Sequence, residues 1–409
     1  MKRPLVIKFG GTSVGGGAEM VRTANVVAEA AQNGPVAVVV SAMAGTTDAL
    51  LGYADATAGS RTGSRTSRVI THEGAVAGMH RTLADRLADR HLRAAREAVS
   101  EDHLSEVEER VFSLLERLVE VVEEPAADRS ARRDEIAVYG ERLSATILAG
   151  TIRSLDTPAA VVPGDPIATN GAFGEAEVLG EETQRRTGRY VWPLLEAGSV
   201  AVVPGYVGRA PDGSVTTLGR GGSDYSATVL GQALGSSEVW IMTDVEGVLE
   251  ADPRVVPGAA LMPRLSYREA TLFATLGAKV LHPKTMEPAS EAGIEVFVRD
   301  SFDPASPGTR ISHRGYEEGL RCVALRRDLA IEIPCTQGRE KRIASVVCIG
   351  IPEDGDLARG MRCLKQAGLP PLHAGVSSAG LVYFVSNEAG EEALRVLHAG
   401  LISAVEEVA

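Results

Sequence analysis

The sequence predicts an α/β protein with a doubly wound, mostly parallel sheet, followed by a small C-terminal α+β domain. Strand patterns alternate with helical patterns over most of the chain, and short polar or glycine-rich segments follow the strands. At 409 residues the chain is also too long for a single core. A segment rich in proline and glycine at residues 306–315 predicts a first domain over residues 1–315 and a second over residues 316–409.

The first elements establish the parallel character of the sheet. Residues 5–9 form a β-rich run that ends at two glycines, and residues 20–31 have the pattern of a helix. Residues 36–41 are almost continuously apolar, which is typical of a parallel strand buried on both faces. The same alternation predicts further strands around Ile136 and at residues 159–162, 199–203 and 238–242.

Two segments interrupt this alternation. Residues 57–68 are rich in Ser, Thr, Gly and Arg and predict a mobile surface loop. Residues 82–124 carry Leu and Val at helical spacing and predict a pair of helices packed on the sheet, ending at Pro125.

The last part of the chain predicts a smaller α+β unit. Its expected elements are strands at residues 344–350 and 381–385 and helices at residues 356–367 and 391–398. Four cysteines lie in this quarter without paired spacing, which favours free thiols over zinc ligands or a disulfide framework.

Charge and hydropathy argue against several classes of function. The net charge of −12 disfavours general binding to nucleic acids or anionic membranes. No run approaches the roughly 18 apolar residues of a membrane span, and the N-terminal apolar run is too short for a signal peptide. We therefore expect a cytoplasmic protein without nucleic-acid or membrane partners.

Residues 216–226, which read TTLGRGGSDYS, are the most informative segment. Glycines let the backbone turn sharply and approach a ligand, and a helix that starts after them directs its free N–H groups at that ligand. Arg220 offers a planar fork that fits a carboxylate or a phosphate. The segment predicts a site for a small, highly charged anion.

Other polar segments follow predicted strands, where α/β sheets bind ligands. Lys8 precedes Gly10 and Gly11 without the spacing of a P-loop or a dinucleotide site, so a plain tight turn is an equal alternative. Glu141 lies at a predicted glycine turn, where pairing with Arg142 or solvation is the simpler interpretation. Further segments of this kind are residues 41–48, 243–254 and 277–283.

Six of these blocks, in order, resemble the aspartokinases of the amino-acid kinase family. They read KFGGTSV, GERLS, TTLGRGGSDY, TDVxGV, ADPR and GAKVLHP, and the resemblance spans residues 4–312. It implies a three-layer kinase domain, an ACT-like regulatory or oligomerisation domain, and phosphorylation of L-aspartate to 4-phospho-L-aspartate with ATP and Mg²⁺. Because the side-chain carboxylate of aspartate is ionised at neutral pH, no general base is needed.

The resemblance also implies a role for each matching residue. Lys8 and Asp224 would be catalytic, and no residue would bind metal directly. The residues implied to bind the amino acid are Thr47, Glu141, Arg220 and Ser223. The residues implied to bind the nucleotide are Lys8, Gly10, Gly11, Thr243, Asp244, Leu249, Asp252, Arg254 and Lys279.

The chain departs from the family at three places. Residues 162–164 read VPG where the family commonly has Asp-x-Arg, and Leu249 replaces a common tyrosine. The C-terminal region is short, with residues 323–325 and 331–333 resembling remnants of a first ACT unit. We therefore expect weak or no feedback inhibition and a homodimer or higher homo-oligomer. Kinase chemistry on another acidic amino acid, or a catalytically silent amino-acid-binding regulator, are the alternatives.

Overall fold

The structure is a computed structural model that describes residues 2–58, 72–124, 128–275, 281–315, 319–331 and 341–403. The chain divides into two compact units. The first comprises Met1–Val245 and Glu291–Ser306, and the second comprises Glu246–Ser290 and Pro307–Ala409. This division follows packing within the chain, and the domain boundary after residue 315 stays a prediction.

A parallel sheet forms the centre of the first unit. Its six strands lie in the order β3-β4-β2-β1-β7-β9, and each neighbouring pair is parallel. The strands are β1 Leu5–Phe9, β2 Val36–Val40, β3 Ala159–Val161, β4 Val200–Pro204, β7 Glu238–Thr243 and β9 Glu295–Asp300. Every residue of β2 and β4 is buried, as expected for strands covered on both faces. The predicted doubly wound, mostly parallel sheet is confirmed.

Helices and one hairpin complete this unit. The helices are α1 Gly17–Ala31, α2 Thr46–Ala58, α3 His72–Ala98, α4 Glu101–Glu123, α5 Arg129–Ala137, α6 Tyr139–Arg153, α7 Gly180–Tyr190, α8 Trp192–Glu196 and α9 Gly222–Leu234. The hairpin consists of β5 Val207–Arg209 and β6 Val215–Thr217. The predicted helical pair over residues 82–124 is confirmed as α3 and α4. Most of the predicted loop at residues 57–68 lies outside the described residues.

Two local predictions in this unit are wrong. Ile136 lies in α5 rather than in a strand, and Glu141 lies in the first turn of α6 rather than at a glycine turn. The Asp128 side chain caps α5 by accepting hydrogen bonds from the backbone N–H groups of Ser130 and Ala131. The apolar run around Ile136 is too short for its periodicity to separate a strand from a buried helix.

The second unit contains a small parallel pair and an antiparallel sheet. The pair consists of β8 Arg264–Ser266 and β10 Thr309–Ser312, accompanied by α10 Tyr267–Thr275, and α11 Met286–Ala292 follows a 3₁₀ turn at Pro283–Thr285. The antiparallel sheet has the order β11-β12-β14-β13. Its strands are β11 Gly319–Ile331, β12 Lys341–Ile351, β13 His373–Ser377 and β14 Gly380–Ser386.

Two helices, α12 Asp356–Gln366 and α13 Gly390–Leu397, share a core with alternate residues of this sheet, and α13 continues into a π-helical turn at His398–Ile402. The predicted small C-terminal α+β domain is confirmed. Residues 323–325 lie within β11 and pair with β12, so they complete this sheet instead of forming a remnant of a separate unit. Strand periodicity alone does not show which sheet a strand joins. Among the described helices, none combines the length and the apolar character needed to cross a membrane.

His91 is a buried titratable group in the first unit. It lies on α3, where its Nδ1 is 2.7 Å from the Leu87 carbonyl oxygen and its Nε2 has no partner among the described residues. Burial lowers the pKa of His91 from 6.5 to about 4. The folded protein therefore holds a neutral imidazole at pH values where the unfolded chain is already protonated.

We predict that His91→Leu flattens the acid limb of the stability profile. Because the unfolded state binds the proton first, the free energy of unfolding falls as the pH drops from about 6.5 to about 4, by about 3 kcal/mol for this group. Urea unfolding at pH 7.5 and pH 4.5, followed by the fluorescence of Trp192 and Trp240 in the first unit, measures the difference. His373→Leu, at an exposed position, serves as the control. An equal acid loss in wild type and His91→Leu would contradict the assignment.

Candidate active site

The candidate site lies at the carboxyl edge of the parallel sheet. Lys8 is the penultimate residue of β1 and pairs in register with Val39 of β2 and Ile241 of β7. Since these strands are parallel and adjacent, the segments that follow them leave the sheet at the same edge. The polar segments predicted after β1, β2 and β7 therefore lie close together.

A buried ion pair joins Lys8 to α9. Lys8 is only 8% exposed, and its Nζ lies 2.5 Å from Asp224 Oδ1. This oxygen has no hydrogen bond to the described residues besides the charge contact. Asp224 belongs to the first turn of α9, where a negative charge also interacts favourably with the helix dipole. Removing one member of such a pair leaves the other charge buried without a counter-ion, which lowers the free energy of unfolding by about 3–5 kcal/mol.

Two glycines let the segments after β1 and β2 approach each other. A Cβ atom at Gly11 would lie 2.8 Å from the Ala42 carbonyl oxygen, which is too close for any side chain. The Gly10 N–H donates a hydrogen bond to the Met242 carbonyl oxygen at 3.2 Å, and a Cβ atom here would lie 3.5 Å from Lys8 Nζ. The backbone beside the lysine is thus kept free of side chains.

The glycine-rich segment before α9 adopts the conformation that glycine allows. Gly219 and Gly221 have φ values of 75° and 68°. A Cβ atom at Gly222 would lie 2.6 Å from the ring of Tyr206, which itself has a positive φ of 68°. Between the two left-handed glycines, the Arg220 side chain is exposed and forms no hydrogen bond or ion pair with the described residues. Its guanidinium is available to an anion.

Glu141 is the buried acid of the site. It is 3% exposed, and its Oε2 has no partner among the described residues. A Cβ atom at Gly140 would lie 2.7 Å from the Ala42 Cβ, so this glycine brings the start of α6 against the segment after β2. Burial raises the pKa of Glu141 from 4.5 to about 8, although backbone N–H groups of Glu141 and Ala42 partly offset this effect. Such a carboxyl group is suited to receive a cationic ligand.

Thr47 and Ser223 lie beside these groups. Thr47 is half-buried in the first turn of α2, which follows β2. Ser223 is half-buried in the first turn of α9, and a Cβ atom at Gly205 would lie 2.9 Å from its Oγ. Gly205 therefore allows the segment after β4 to pack against the start of α9.

The predicted nucleotide residues divide between the two units. Thr243 ends β7 and Asp244 follows it in the first unit, where Thr243 Oγ1 donates to Asp244 Oδ1 at 3.3 Å. In the second unit, Arg254 forms two side-chain hydrogen bonds to Asp252, at 2.9 and 2.5 Å. Leu249 forms a β-bridge with Leu261. Lys279 lies outside the described residues.

Comparison with known proteins decides the family. The model of the amino acid kinase family matches residues 3–300. Lysine-sensitive aspartokinase 3 of Escherichia coli is 36% identical over 331 residues, which cover 80% of this chain and 68% of the relative. This chain is an aspartokinase by family.

Other relatives belong to the same family but are longer than the part that this chain matches. Chloroplastic aspartokinase 2 of Arabidopsis thaliana is 32% identical over 75% of this chain and 54% of its own length, so the chain spans about half of that relative. The crystal structure of Escherichia coli aspartokinase III in complex with aspartate and ADP superposes with a TM-score of 0.77 at 27% identity. That match covers 97% of this chain and 99% of the other.

The structure adds Asp134 as a site residue that sequence reasoning missed in this aspartokinase. Asp134 is buried in α5, and its Oδ2 accepts hydrogen bonds from the N–H groups of Thr217 and Gly174, both at 2.8 Å. Burial raises the pKa of this carboxyl group, while the two N–H groups act in the opposite direction. Asp134 thereby fixes the strand end that leads into the Arg220 segment. An isolated acid in a helical sequence gives no signal of this role.

Arg90 plays a similar part on the other side of the site. From α3, its guanidinium donates hydrogen bonds to the carbonyl oxygens of Ala44, at 2.8 Å, and Gly15, at 3.4 Å. One side chain therefore ties together the two segments that follow β1 and β2. The sequence places Arg90 in an ordinary amphipathic helix, so no motif identifies it.

The unusual segment at residues 162–164 leads into an arginine cluster. Asp165 is buried and accepts hydrogen bonds from Nε and Nη2 of Arg209, while Arg142 Nη2 lies 3.7 Å away. A Cβ atom at Gly164 would lie 2.9 Å from the ring of Tyr190, which explains glycine at this position. Arg142 follows Glu141 directly, so this network also anchors the first turn of α6.

We predict that Glu141→Gln stabilises the ligand-free protein at neutral and alkaline pH. The folded protein holds the Glu141 proton up to about pH 8, whereas the unfolded chain loses it near pH 4.5. The free energy of unfolding therefore falls between these pH values, and the glutamine variant avoids a loss of about 3–5 kcal/mol. Urea unfolding at pH 5 and pH 8.5 measures the effect, with the exposed Glu246→Gln as the control. A variant less stable than wild type at pH 8.5 would contradict it.

Proposed function

We propose that this chain catalyses the ATP-dependent phosphorylation of the side-chain carboxylate of L-aspartate. The observation that carries the proposal is the buried Glu141, whose Oε2 has no partner among the described residues, on the same sheet edge as Arg220, which forms no hydrogen bond or ion pair with those residues. A carboxylate and a guanidinium are the complements of an α-ammonium and an α-carboxylate, so together they suit a free amino acid. Aspartate and ADP in the complex of Escherichia coli aspartokinase III support this choice.

The reaction needs orientation and charge neutralisation. The ionised side-chain carboxylate attacks the γ-phosphorus, the bond to the β–γ bridging oxygen breaks, and ADP leaves with that oxygen. Lys8, held by Asp224, would stabilise the negative charge of the transferring phosphoryl group. The nearby Gly10 and Gly11 leave room for phosphate oxygens beside the ammonium group.

The proposed role of Mg²⁺ matches the donors present. No group of three or more His, Cys, Asp or Glu side chains with metal-binding geometry occurs among the described residues. Asp244, exposed just after β7, offers one carboxylate to an ion that keeps mostly phosphate and water ligands. When bound, Mg²⁺ would neutralise charge on the phosphate oxygens.

An assay of ADP release with aspartate, glutamate and related acids tests the proposal. Turnover with aspartate supports it. The VPG segment at residues 162–164, where the family commonly has Asp-x-Arg, favours a second candidate, in which the acceptor is another acidic amino acid. Turnover with a different acid would favour that candidate, and binding without turnover would indicate an amino-acid-binding regulator.

We predict that Lys8→Ala lowers kcat by two to four orders of magnitude. The variant loses the ammonium group that neutralises the transition state, and it also leaves Asp224 without its counter-ion. Steady-state kinetics at saturating substrates, with circular dichroism as a folding check, measure the loss. Lys2→Ala is the control because Lys2 is exposed and donates only to the Asn33 carbonyl oxygen among the described residues. Wild-type turnover in Lys8→Ala would exclude a phosphoryl contact.

We predict that Arg220→Lys raises KM for the amino acid by at least tenfold and KM for ATP by less than twofold. A point charge cannot replace the bidentate fork that binds the α-carboxylate. Initial rates with each substrate varied in turn separate the two constants. Arg185→Lys serves as the control, since Arg185 is exposed and pairs with Glu182 on the surface of α7. Equal changes in both constants would exclude Arg220 as the carboxylate clamp.

We predict weak or no inhibition by lysine and threonine. A ligand shifts a conformational equilibrium only through its difference in affinity for the two states, and the C-terminal domain offers one antiparallel sheet with two helices among the described residues. In this proposal the domain serves mainly in homo-oligomer assembly. Activity titrated with each amino acid, alone and combined, checks the prediction. Strong inhibition at millimolar effector would contradict it.

A further inference from the structure

The segment that carries Asp252 and Arg254 is an excursion with two different sides. We call residues 249–256 the 249–256 loop. Its neck is closed by the β-bridge between Leu249 and Leu261 and by a hydrogen bond from the Glu250 N–H to the Ala260 carbonyl oxygen at 3.0 Å. Arg254 projects into solvent and pairs with Asp252. The opposite side of the loop is buried.

The buried side belongs to the core of the C-terminal α+β domain. Ala251 and Val255 are 5% and 8% exposed. They pack in one cluster with sheet and helix residues, among them Val323, Val346, Leu394 and Leu397. Burial of apolar side chains contributes most of the stability of such a core. The position of the 249–256 loop is therefore fixed by its packing against this domain.

Three polar contacts fix the loop more specifically. The Val323 N–H in β11 donates to the Glu250 carbonyl oxygen at 2.8 Å. Arg395 Nε in α13 donates to the Val255 carbonyl oxygen at 3.0 Å. His398 Nε2, in the π-helical turn, lies 3.3 Å from Glu250 Oε2, and its Nδ1 lies 3.2 Å from Ser403 Oγ.

We propose that the C-terminal α+β domain positions the 249–256 loop for nucleotide binding, with Arg395 and His398 as the positioning residues. The inference rests on the proposed function and on the nucleotide-binding role that the family resemblance implies for Asp252 and Arg254. Arg395 and His398 approach the loop from the buried side, whereas Asp252 and Arg254 form their mutual contact on the other. The domain thus has a task in the catalytic cycle that does not depend on an effector.

The test uses the full chain with Arg395→Met and His398→Leu, singly and together. Methionine retains much of the packing volume of Arg395 but cannot donate to Val255. We expect each single variant to raise KM for ATP by three- to tenfold and the double variant to raise it further. We expect KM for aspartate and kcat to stay within twofold of wild type. Arg395→Lys, which retains a donor, should show a smaller rise in KM for ATP.

Two controls separate positioning from general stability. Glu392→Ala removes a surface partner of Arg395 without altering its Val255 contact, and Arg327→Ala removes an exposed ion pair with Glu391 in the same domain. Both controls should leave KM for ATP unchanged. Amide hydrogen exchange provides a readout independent of activity. It should accelerate in the peptide covering residues 249–256 of the Arg395→Met and His398→Leu variants, but not in β12 or β14.

Asp252→Ala distinguishes failure of the inference from failure of the proposed function. If Asp252→Ala raises KM for ATP while Arg395→Met and His398→Leu leave it within twofold, the inference is overturned and the nucleotide assignment stands. A loss of kcat with unchanged KM for ATP, or faster exchange throughout the domain, would also overturn it, because that outcome describes a structural role alone. If Asp252→Ala has no effect on KM for ATP, the proposed nucleotide role of the loop fails, and with it the positioning role.

Discussion

The buried ion pair between Lys8 and Asp224 is the contact on which the site depends. It joins the end of a central strand to the first turn of α9, so the ammonium group and the Arg220 segment are held together. A charge in this environment is costly without its partner, which makes the pair sensitive to any shift of the sheet or the helix. The glycines around it allow the backbone segments to come close enough for the contact to form.

The loops at this edge are fixed by side chains that need not touch a substrate. Arg90 donates to carbonyl groups in the segments after β1 and β2. Asp134 accepts from the N–H groups of Gly174 and Thr217, and Thr217 leads into the segment that carries Arg220. These bonds satisfy backbone groups at strand ends, where no ladder partner is available. The local geometry is thus determined by a small set of charged side chains that act on backbone atoms.

The sequence was sufficient for five of the six strands of the parallel sheet, all except β9. Continuous apolar runs predicted β2 and β4 because parallel strands buried on both faces need them. Ile136 was misplaced because a short apolar run fits a strand as well as a buried helix. Asp134 and Arg90 could not be predicted, since their roles arise from contacts across 83 and 46 positions of sequence, respectively. The hydrogen bond from Val323 to the 249–256 loop could not be predicted from the spacing of apolar residues either.

The buried Glu141 of the candidate site lowers the free energy of unfolding of the ligand-free protein. A buried carboxyl group with one oxygen unpartnered among the described residues destabilises the ligand-free protein at neutral pH, and an apolar residue in its place would pack without that penalty. The penalty is relieved when a cation binds, so a bound ammonium group is discriminated from a neutral group by the same desolvation that raises the pKa. In the proposed function, a bound ammonium group would favour the ionised form of Glu141, which would couple recognition of the amino acid to pH. In the proposed function, selectivity for a charged amino acid would therefore follow from keeping Glu141 buried, with its Oε2 unpartnered among the described residues.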